Sequence, residues 1–389
     1  MEVQHPIITS LLDTDLYKYT MQQAMVLRYP EAEAKMAFRC RSGRLNVSLS
    51  DLKREVGALK HLRFQDEELQ WLASLPFIKP EFIKWLSDFS LDPGQVTMTE
   101  SGGELSIEVT GNWAAITHFE IFILAIVSEL HSRSSLSREL EHEGKQRLDH
   151  KIHFLKRELF SSKKGFGLVD FGTRRRCSGP WQTYVVQKLM TELDCFSGTS
   201  NLHLARTLGL MPVGTMAHEW LQAHQSLGSS LLHSQKEALQ IWLDEYGEQL
   251  GTALTDTISM KAFLADLDET MAHAYSGLRH DSGDPIEWGE LALSHYKKLG
   301  IDARSKTFVF SDKLDFETAV SIYRHFEGRV NVSFGIGTYL TNDMGFAAPN
   351  IVLKLVEVNG HPVAKLSDNP EKIMCQDPDY VQQLRTVFS

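Results

Sequence analysis

The chain of 389 residues has little cysteine and no excess of positive charge. Its four cysteines, Cys40, Cys177, Cys195 and Cys375, lie far apart and form no C-x-x-C. That spacing argues against a zinc knuckle or a disulfide framework and favours reduced thiols in the cytoplasm. The net charge is −10, so no nucleic-acid partner is expected, and an anion site must be a local basic pocket in an acidic protein. The opening residues, MEVQHPIITSLLDTD, have no basic segment followed by an apolar one, so no secretory signal is expected. The most apolar stretch, "AAITHFEIFILAIVSEL" (114–130), is interrupted by His118, Glu120 and Glu129. It is too short and too polar to span a bilayer, so no membrane partner is expected, and a buried helix is. Repeats and low-complexity segments are also missing.

What is present is a large stock of apolar residues, 42% of the chain, arranged in two rhythms. In the first, Asp13 or Thr14 caps a helix that runs to about Arg28 and stops at Pro30. Two helical stretches follow within 51–90, and "QVTMTESGGELSIEV" (95–109) reads as a hairpin about Gly102-Gly103. In the second rhythm, from about 165, short apolar runs end in small or polar residues: "GLVDFGT", "CFSGTSN", "MPVGTMAHE", "GTALTDT", "GLRHDSGD", "TFVFSDK" and "VNVSFGIGT". Helical patterns at 181–193, 219–248, 260–275, 287–299 and 315–326 lie between most of them. Seven such units predict an α/β fold, an irregular (β/α) barrel spanning 131–340, with its chemistry at the C-terminal strand ends. Residues 1–130, joined by the hairpin-like tail within 341–389, predict a smaller α+β domain built from both chain ends.

The strand ends carry the polar residues. "VDFGTRRRCSG" (169–179) places Arg174, Arg175 and Arg176 just after Phe171 and Gly172. Three adjacent guanidiniums repel one another unless an anion or water separates them; a solvated turn accounts for one or two of the three. "GLRHDSGDP" (277–285) holds Arg279, Asp281, Ser282 and Asp284. These suit a phosphorylated sugar or Mg²⁺, or a plain polar loop ending in an Asp-Pro turn. "FSDKLD" adds Ser311 and Asp312. "SFGIGTYL" offers Gly335, Gly337 and Thr338, which fit a phosphate cradle or only a tight turn. "GTMAHEWLQAH" fails as a zinc helix, because Gln222 stands where H-e-x-x-H needs its second histidine. His218 is left as a base, a nucleophile or a core histidine.

Nine pieces resemble, in order, the nicotinate phosphoribosyltransferase family in its long bacterial form: "LLDTDLYKYTMQQA", "FRCR", "VDFGTRRRCS", "GTSNLHLAR", "GTMAHEW", "LRHDSGDP", "VFSDKLD", "SFGIGT" and "PVAKLSD". The resemblance implies the barrel with a smaller domain of the type II phosphoribosyltransferases. It also implies a homodimer whose subunits share active sites. The activity it implies joins nicotinate to 5-phosphoribosyl-1-pyrophosphate, giving nicotinate mononucleotide and pyrophosphate, with Mg²⁺ and with ATP as co-substrate. By the same resemblance Arg174 and Arg279 clamp the phosphates, and Phe171 stacks on the pyridine ring. Tyr17 from the second subunit provides the opposite face. Asp281 and Asp312 attend the ribose, Ser282 and Ser311 accompany them, and Gly335, Gly337 and Thr338 hold the 5′-phosphate. His218 matches the phosphorylated histidine, with Asp256 orienting it. Ser200 is expected to donate to the nicotinate carboxylate where nicotinamide-using relatives carry an acidic residue. A nicotinamide enzyme and a catalytically silent sugar-phosphate sensor stay open as alternatives. An aldolase would have to use Lys313.

Overall fold

Strands β1 (Glu33–Cys40), β2 (Val96–Ser101) and β3 (Glu104–Asn112) come from the N-terminal third of the chain. Gly102 and Gly103 take φ of 60° and 82°, the left-handed pair that a two-residue hairpin requires. β2 and β3 therefore pair from Ser101↔Glu104 to Val96↔Val109, as the alternation predicts. The computed structural model describes residues 5–159, 165–366, 373–375 and 377–388. Ser367 and Asp368 of "PVAKLSD" lie outside the described residues.

The second rhythm forms β4 (Phe166–Asp170), β5 (Phe196–Thr199), β6 (Thr252–Leu254), β7 (Gly277–His280), β8 (Thr307–Phe310) and β9 (Asn331–Ile336). They make one parallel sheet in the order β5-β4-β9-β8-β7-β6. The seventh run, "MPVGTM", does not become a strand. It makes a single bridge, Thr199↔Pro212, with Val213 N–H donating to Thr199 O at 3.0 Å. Pro212 has no N–H to continue a ladder, and Gly214 adds no side chain to pack. The run still reaches β6, because Thr215 Oγ1 donates to Thr252 O at 2.9 Å.

The chain then returns to the first sheet. β10 (Ile351–Val358) and β11 (His361–Pro362) turn at Asn359 and Gly360, with φ of 49° and 77°. β10 pairs antiparallel with β1 from Cys40↔Ile351 to Ala34↔Val358. The antiparallel sheet, β11-β10-β1-β3-β2, thus takes strands from both ends of the chain. One apolar cluster runs from Ile7 to Val363 and serves both sheets.

Several helices differ from expectation. The first spans Leu16–Arg28 and begins after Asp15, not Asp13 or Thr14. Asp13 is drawn away by Arg176, as described below. The pattern at 219–248 splits into His218–Leu227 and Ser234–Tyr246, and that at 260–275 into Met260–Asp266 and Glu269–Ala274. A 21-residue helix, Arg138–Glu158, had no counterpart in the sequence reading. Its buried stripe is one residue wide, Gly144, Leu148, Ile152 and Leu155, and charged residues hide it. Contrary to expectation, the stretch Trp113–Arg133 is by length and composition long and apolar enough to cross a membrane, but 83% of its most apolar window is buried inside the protein. It behaves as a core helix.

Candidate active site

The end of β4 is built around Asp170. Its buried carboxylate accepts hydrogen bonds from Gly172 N–H (2.9 Å), Gln182 Nε2 (2.8 Å) and Thr199 Oγ1 (2.8 Å). Burial nevertheless pushes this carboxyl up to about 6. The locked turn holds Phe171 against Gly335, where an added Cβ would lie 2.2 Å from the ring. The Arg279 guanidinium sits 5.3 Å from the same ring's centroid, in cation–π range. Gly335, expected in a phosphate cradle, is therefore first of all a seat for Phe171.

A cavity of about 440 Å³ lies at these strand ends, walled also by the start of the first helix and by β10. Tyr17, Phe171, Arg174, Ser200, His218, Arg279, Asp281, Ser311, Gly335, Gly337 and Thr338 line it. Asp256, Ser282 and Asp312 do not. Asp256 is 1% exposed behind His218, and Ser282 is 2% exposed behind Asp256, to which its hydroxyl donates at 2.6 Å. Asp312 is half-buried beside Ser311, off the wall. Ser311 Oγ accepts Arg279 Nε–H at 2.8 Å and itself lies 3.1 Å from Asp281 Oδ1, so it ties these two residues together.

The chain's own Tyr17 lines the cavity together with its own Phe171. Leu16 N–H donates to Ser200 O at 2.8 Å, and Ser200 Oγ donates to Asp15 Oδ1 at 2.7 Å, which fastens the start of this helix to the end of β5. The second bond gives the Ser200 hydroxyl a partner within the chain. Its proton goes to Asp15, and the carboxylate of Asp15 is itself on the cavity wall. Burial raises the Asp15 carboxyl above its ordinary value.

The three arginines diverge. Arg174 lines the cavity, 3.8 Å from Glu120 Oε1. Arg175 reaches the rim and donates to Asn350 Oδ1 at 3.3 Å. Burial and the neighbouring Arg174 push its guanidinium down to about 10. Arg176 turns inward, 2% exposed, and donates to both oxygens of Asp13 at 2.7 and 2.6 Å. Such a bidentate pair is structural.

His218 begins its helix at the far wall. Its Nε2 lies 2.7 Å from Asp256 Oδ1 and 3.8 Å from Asp281 Oδ2. Burial, and then the Lys365 ammonium, lower its pKa, so the ring is neutral near pH 7. An ionised Asp256 only accepts, so Nε2 carries the proton. Nδ1 has no hydrogen-bond partner among the described residues. Burial works against ionisation of Asp256, but His218 and Lys365 hold its carboxyl well below the usual range. One donor atom from each of His218, Asp256 and Asp281 falls within 4.8 Å of the others, which is close enough for a metal ion. The set does not fit a resident Mg²⁺, however. Lys365 Nζ lies 2.6 Å from Asp256 Oδ2 and 3.5 Å from Asp281 Oδ2, and Ser282 also donates to Asp256 Oδ2.

Models of the nicotinate phosphoribosyltransferase family match residues 166–389, and models of its N-terminal domain match residues 12–128. The chain belongs to this family. A nicotinate phosphoribosyltransferase of Shigella boydii is 49% identical over 386 residues, covering 98% of this chain and 96% of that one. Among solved structures, a nicotinate phosphoribosyltransferase from Vibrio cholerae superposes with a TM-score of 0.93 at 38% identity, covering 98% and 94%. Another from Porphyromonas gingivalis gives 0.89 at 32%, covering 98% and 100%.

Within this family member, sequence reasoning passed over Asp15, Glu120, Glu219 and Lys354 on the cavity wall, and Lys18 and Lys365 behind it. Lys18 is fully buried and lies 2.5 Å from both Glu120 Oε2 and Glu219 Oε2. The available signal was a charged residue inside an otherwise apolar segment, as in "DLYKYTM" and "PVAKL". A buried lysine needs partners, so each such lysine marks a cluster.

Proposed function

We propose that the chain joins nicotinate to 5-phosphoribosyl-1-pyrophosphate in pyridine nucleotide biosynthesis. One observation carries this reading within the family: two aromatic rings, Tyr17 and Phe171, and two arginines, Arg174 and Arg279, line a single cavity. The rings suit a flat pyridine, and the arginines suit a substrate whose ends are all anionic. The pyridine nitrogen attacks C1 of the sugar. The C1–N bond forms as the C1–O bond breaks, and its electron pair leaves on pyrophosphate. Guanidiniums fixed at the leaving group stabilise the charge that grows there. Gly337 and Thr338 receive the 5′-phosphate. Asp281 faces the ribose.

ATP is the proposed co-substrate. His218 Nδ1 takes its γ-phosphoryl group: the N–P bond forms, the P–O bond to ADP breaks, and ADP leaves with the electron pair. Asp256 holds the Nε2–H throughout. This reading is supported by the neutral ring and its unpartnered Nδ1. Mg²⁺ enters as the counter-ion of the substrate phosphates. The parallel sheet, extended by the 212–215 segment, is read as an irregular barrel, the antiparallel sheet as a second domain, and the active form as a cytoplasmic homodimer. A second reading, use of nicotinamide, draws on the Asp15 carboxylate at Ser200, which could accept an amide N–H. Purified protein given either base, the sugar pyrophosphate and Mg²⁺, with and without ATP, tests both. Nicotinate mononucleotide formation stimulated by ATP is expected. Turnover of nicotinamide alone would overturn the choice of base.

A further inference from the structure

Lys365 reaches the histidine from outside both walls that hold it. The segment after β11 is threaded between them. Ala364 N–H donates to Gln225 Oε1 (2.8 Å), and Gln225 Nε2 donates to Ala364 O (2.7 Å). Leu366 N–H donates to Thr257 O (2.9 Å). Gln225 stands on the helix that His218 begins, and Thr257 follows Asp256. Ala364 and Leu366 pack with Ile258, Ala262 and Leu384 in a separate apolar cluster. Lys365, between them, meets the carboxylates instead, with a side chain 4% exposed.

We propose that Lys365 is a positioning residue for His218: its ammonium binds Asp256 and Asp281 as one ionised pair at the Nε2 edge of the ring, which leaves the Nδ1 lone pair available. The inference rests on the phosphohistidine reading for its purpose, but not for its geometry. The charged groups around the ring are Asp256 at the end of β6, Asp281 at the end of β7, and Lys365, with Arg279 on the far side of Asp281 at 3.8 Å. At the Nε2 edge itself, two carboxylates and one ammonium leave a single net negative charge beside a neutral imidazole, and Arg279 is untouched when the ammonium is removed. Without the ammonium, two carboxylates would face one ring at 2.7 and 3.8 Å. The ring would then take a second proton, on Nδ1, and that proton would occupy the lone pair a phosphoryl group needs. Asp281 also faces the cavity, so the lysine links the ring to the substrate side.

The test uses full-length protein with ¹⁵N-labelled histidine. The His218 signals are assigned by their loss in H218N and read in long-range ¹H–¹⁵N spectra near neutral pH. Wild type is expected to show a neutral ring protonated at Nε2, and K365M a ring protonated at both nitrogens. The double variant K365M/D281N, which restores the single negative charge, should return the neutral ring. A merely structural lysine would not be rescued by deleting a carboxylate. Should K365M fail to fold, the double variant carries the same question. In parallel, γ-labelled ATP should label K365M more slowly than wild type, by on the order of tenfold when the ring's pKa stands one unit above the working pH. A neutral ring in folded K365M, a doubly protonated ring in the double variant, or wild-type labelling of K365M would each overturn the proposal. If wild type takes no label, the phosphohistidine reading fails, and the ring spectra alone decide the role of Lys365.

Discussion

Two lysines are buried beside the cavity, each between two carboxylates, and they flank one dipeptide. Lys18, from the first helix, binds Glu219 and Glu120; Lys365, from the C-terminal segment, binds Asp256 and Asp281. His218 belongs to the second set and its neighbour Glu219 to the first. The sets differ in what is left over. Glu219 Oε1 also accepts from Trp113 Nε1 at 2.8 Å and Thr117 Oγ1 at 3.0 Å, groups that do not titrate, and Glu120 reaches the cavity wall beside Arg174. Both sets put a carboxylate on the cavity wall, Glu120 in one and Asp281 in the other, but the Lys365 set alone of the two ends in an imidazole. One arrangement thus makes a fixed joint between Tyr17 and His218, whereas the other makes a centre that can change its charge.

Breaking the joint should have the largest effect. Lys18→Met leaves Glu120 and Glu219 facing each other with no ammonium between them, and losing one partner of a buried ion pair costs about 3–5 kcal/mol. Chemical denaturation should show this loss. Lys365→Met should cost less stability, because the adjacent imidazole can take up a proton and replace the missing charge. Equal losses in the two variants would mean that the sets do not differ in this way. Acid probes the Lys365 set. The Asp281 carboxyl is held down to about 2 from an ordinary 3.8: burial opposes this, but Lys365 and then His218 outweigh it. A depressed carboxyl stabilises the fold fully above its unfolded value, and that contribution is lost as pH falls from about 4 through about 2. Asp281→Asn should flatten stability over that window, with its largest loss near neutrality and little change once pH falls to about 2.

The arginine triplet provides a second contrast with smaller stakes. Arg174→Ala should lower kcat/KM by the equivalent of about 2–4 kcal/mol with folding nearly unchanged, as expected for loss of a donor aimed at developing charge. Arg176→Ala should do the reverse, destabilising the fold by removing the partner of buried Asp13. Measured kinetics and melting temperatures on both variants check this. A well-folded Arg174→Ala with unaltered kinetics would remove Arg174 from the phosphate clamp.

The strand rhythm, the Gly-Gly hairpin and the returning tail were legible in the sequence because periodicity and turn residues are local signals. The seventh strand was not, because Pro212 with its missing N–H and Gly214 with no side chain decide that a run apolar enough to pair does not. The helix at Arg138–Glu158 stayed hidden because its apolar stripe is narrow and its surface highly charged. In the site, residues at strand ends were found, whereas the lysines behind them were not. Their meaning depends on carboxylates far away in the chain: Lys18 is 201 residues from Glu219, and Lys365 is 84 from Asp281. No spacing rule connects such pairs.

Ser200 provides the finest test. From the sequence its hydroxyl faces the substrate carboxylate; in the structure that hydroxyl donates to Asp15 Oδ1 at 2.7 Å. The two placements predict different sensitivities. If the proton serves Asp15, Ser200→Ala removes one hydrogen bond to a buried carboxyl, worth about 1–2 kcal/mol of stability. The carboxyl of Asp15, already raised by burial, then rises further for want of a donor. A protonated Asp15 can itself donate to a nicotinate carboxylate, so use of nicotinate should survive within about tenfold, or roughly 1.4 kcal/mol. Ser200→Asp should be far more harmful, since it sets a second carboxylate against Asp15 and against the anionic base. The ratio of kcat/KM for nicotinate and nicotinamide in the two variants measures this directly. Loss of nicotinate use in Ser200→Ala equal to that in Ser200→Asp would return the hydroxyl to the substrate and reject the Asp15 bond as its main role.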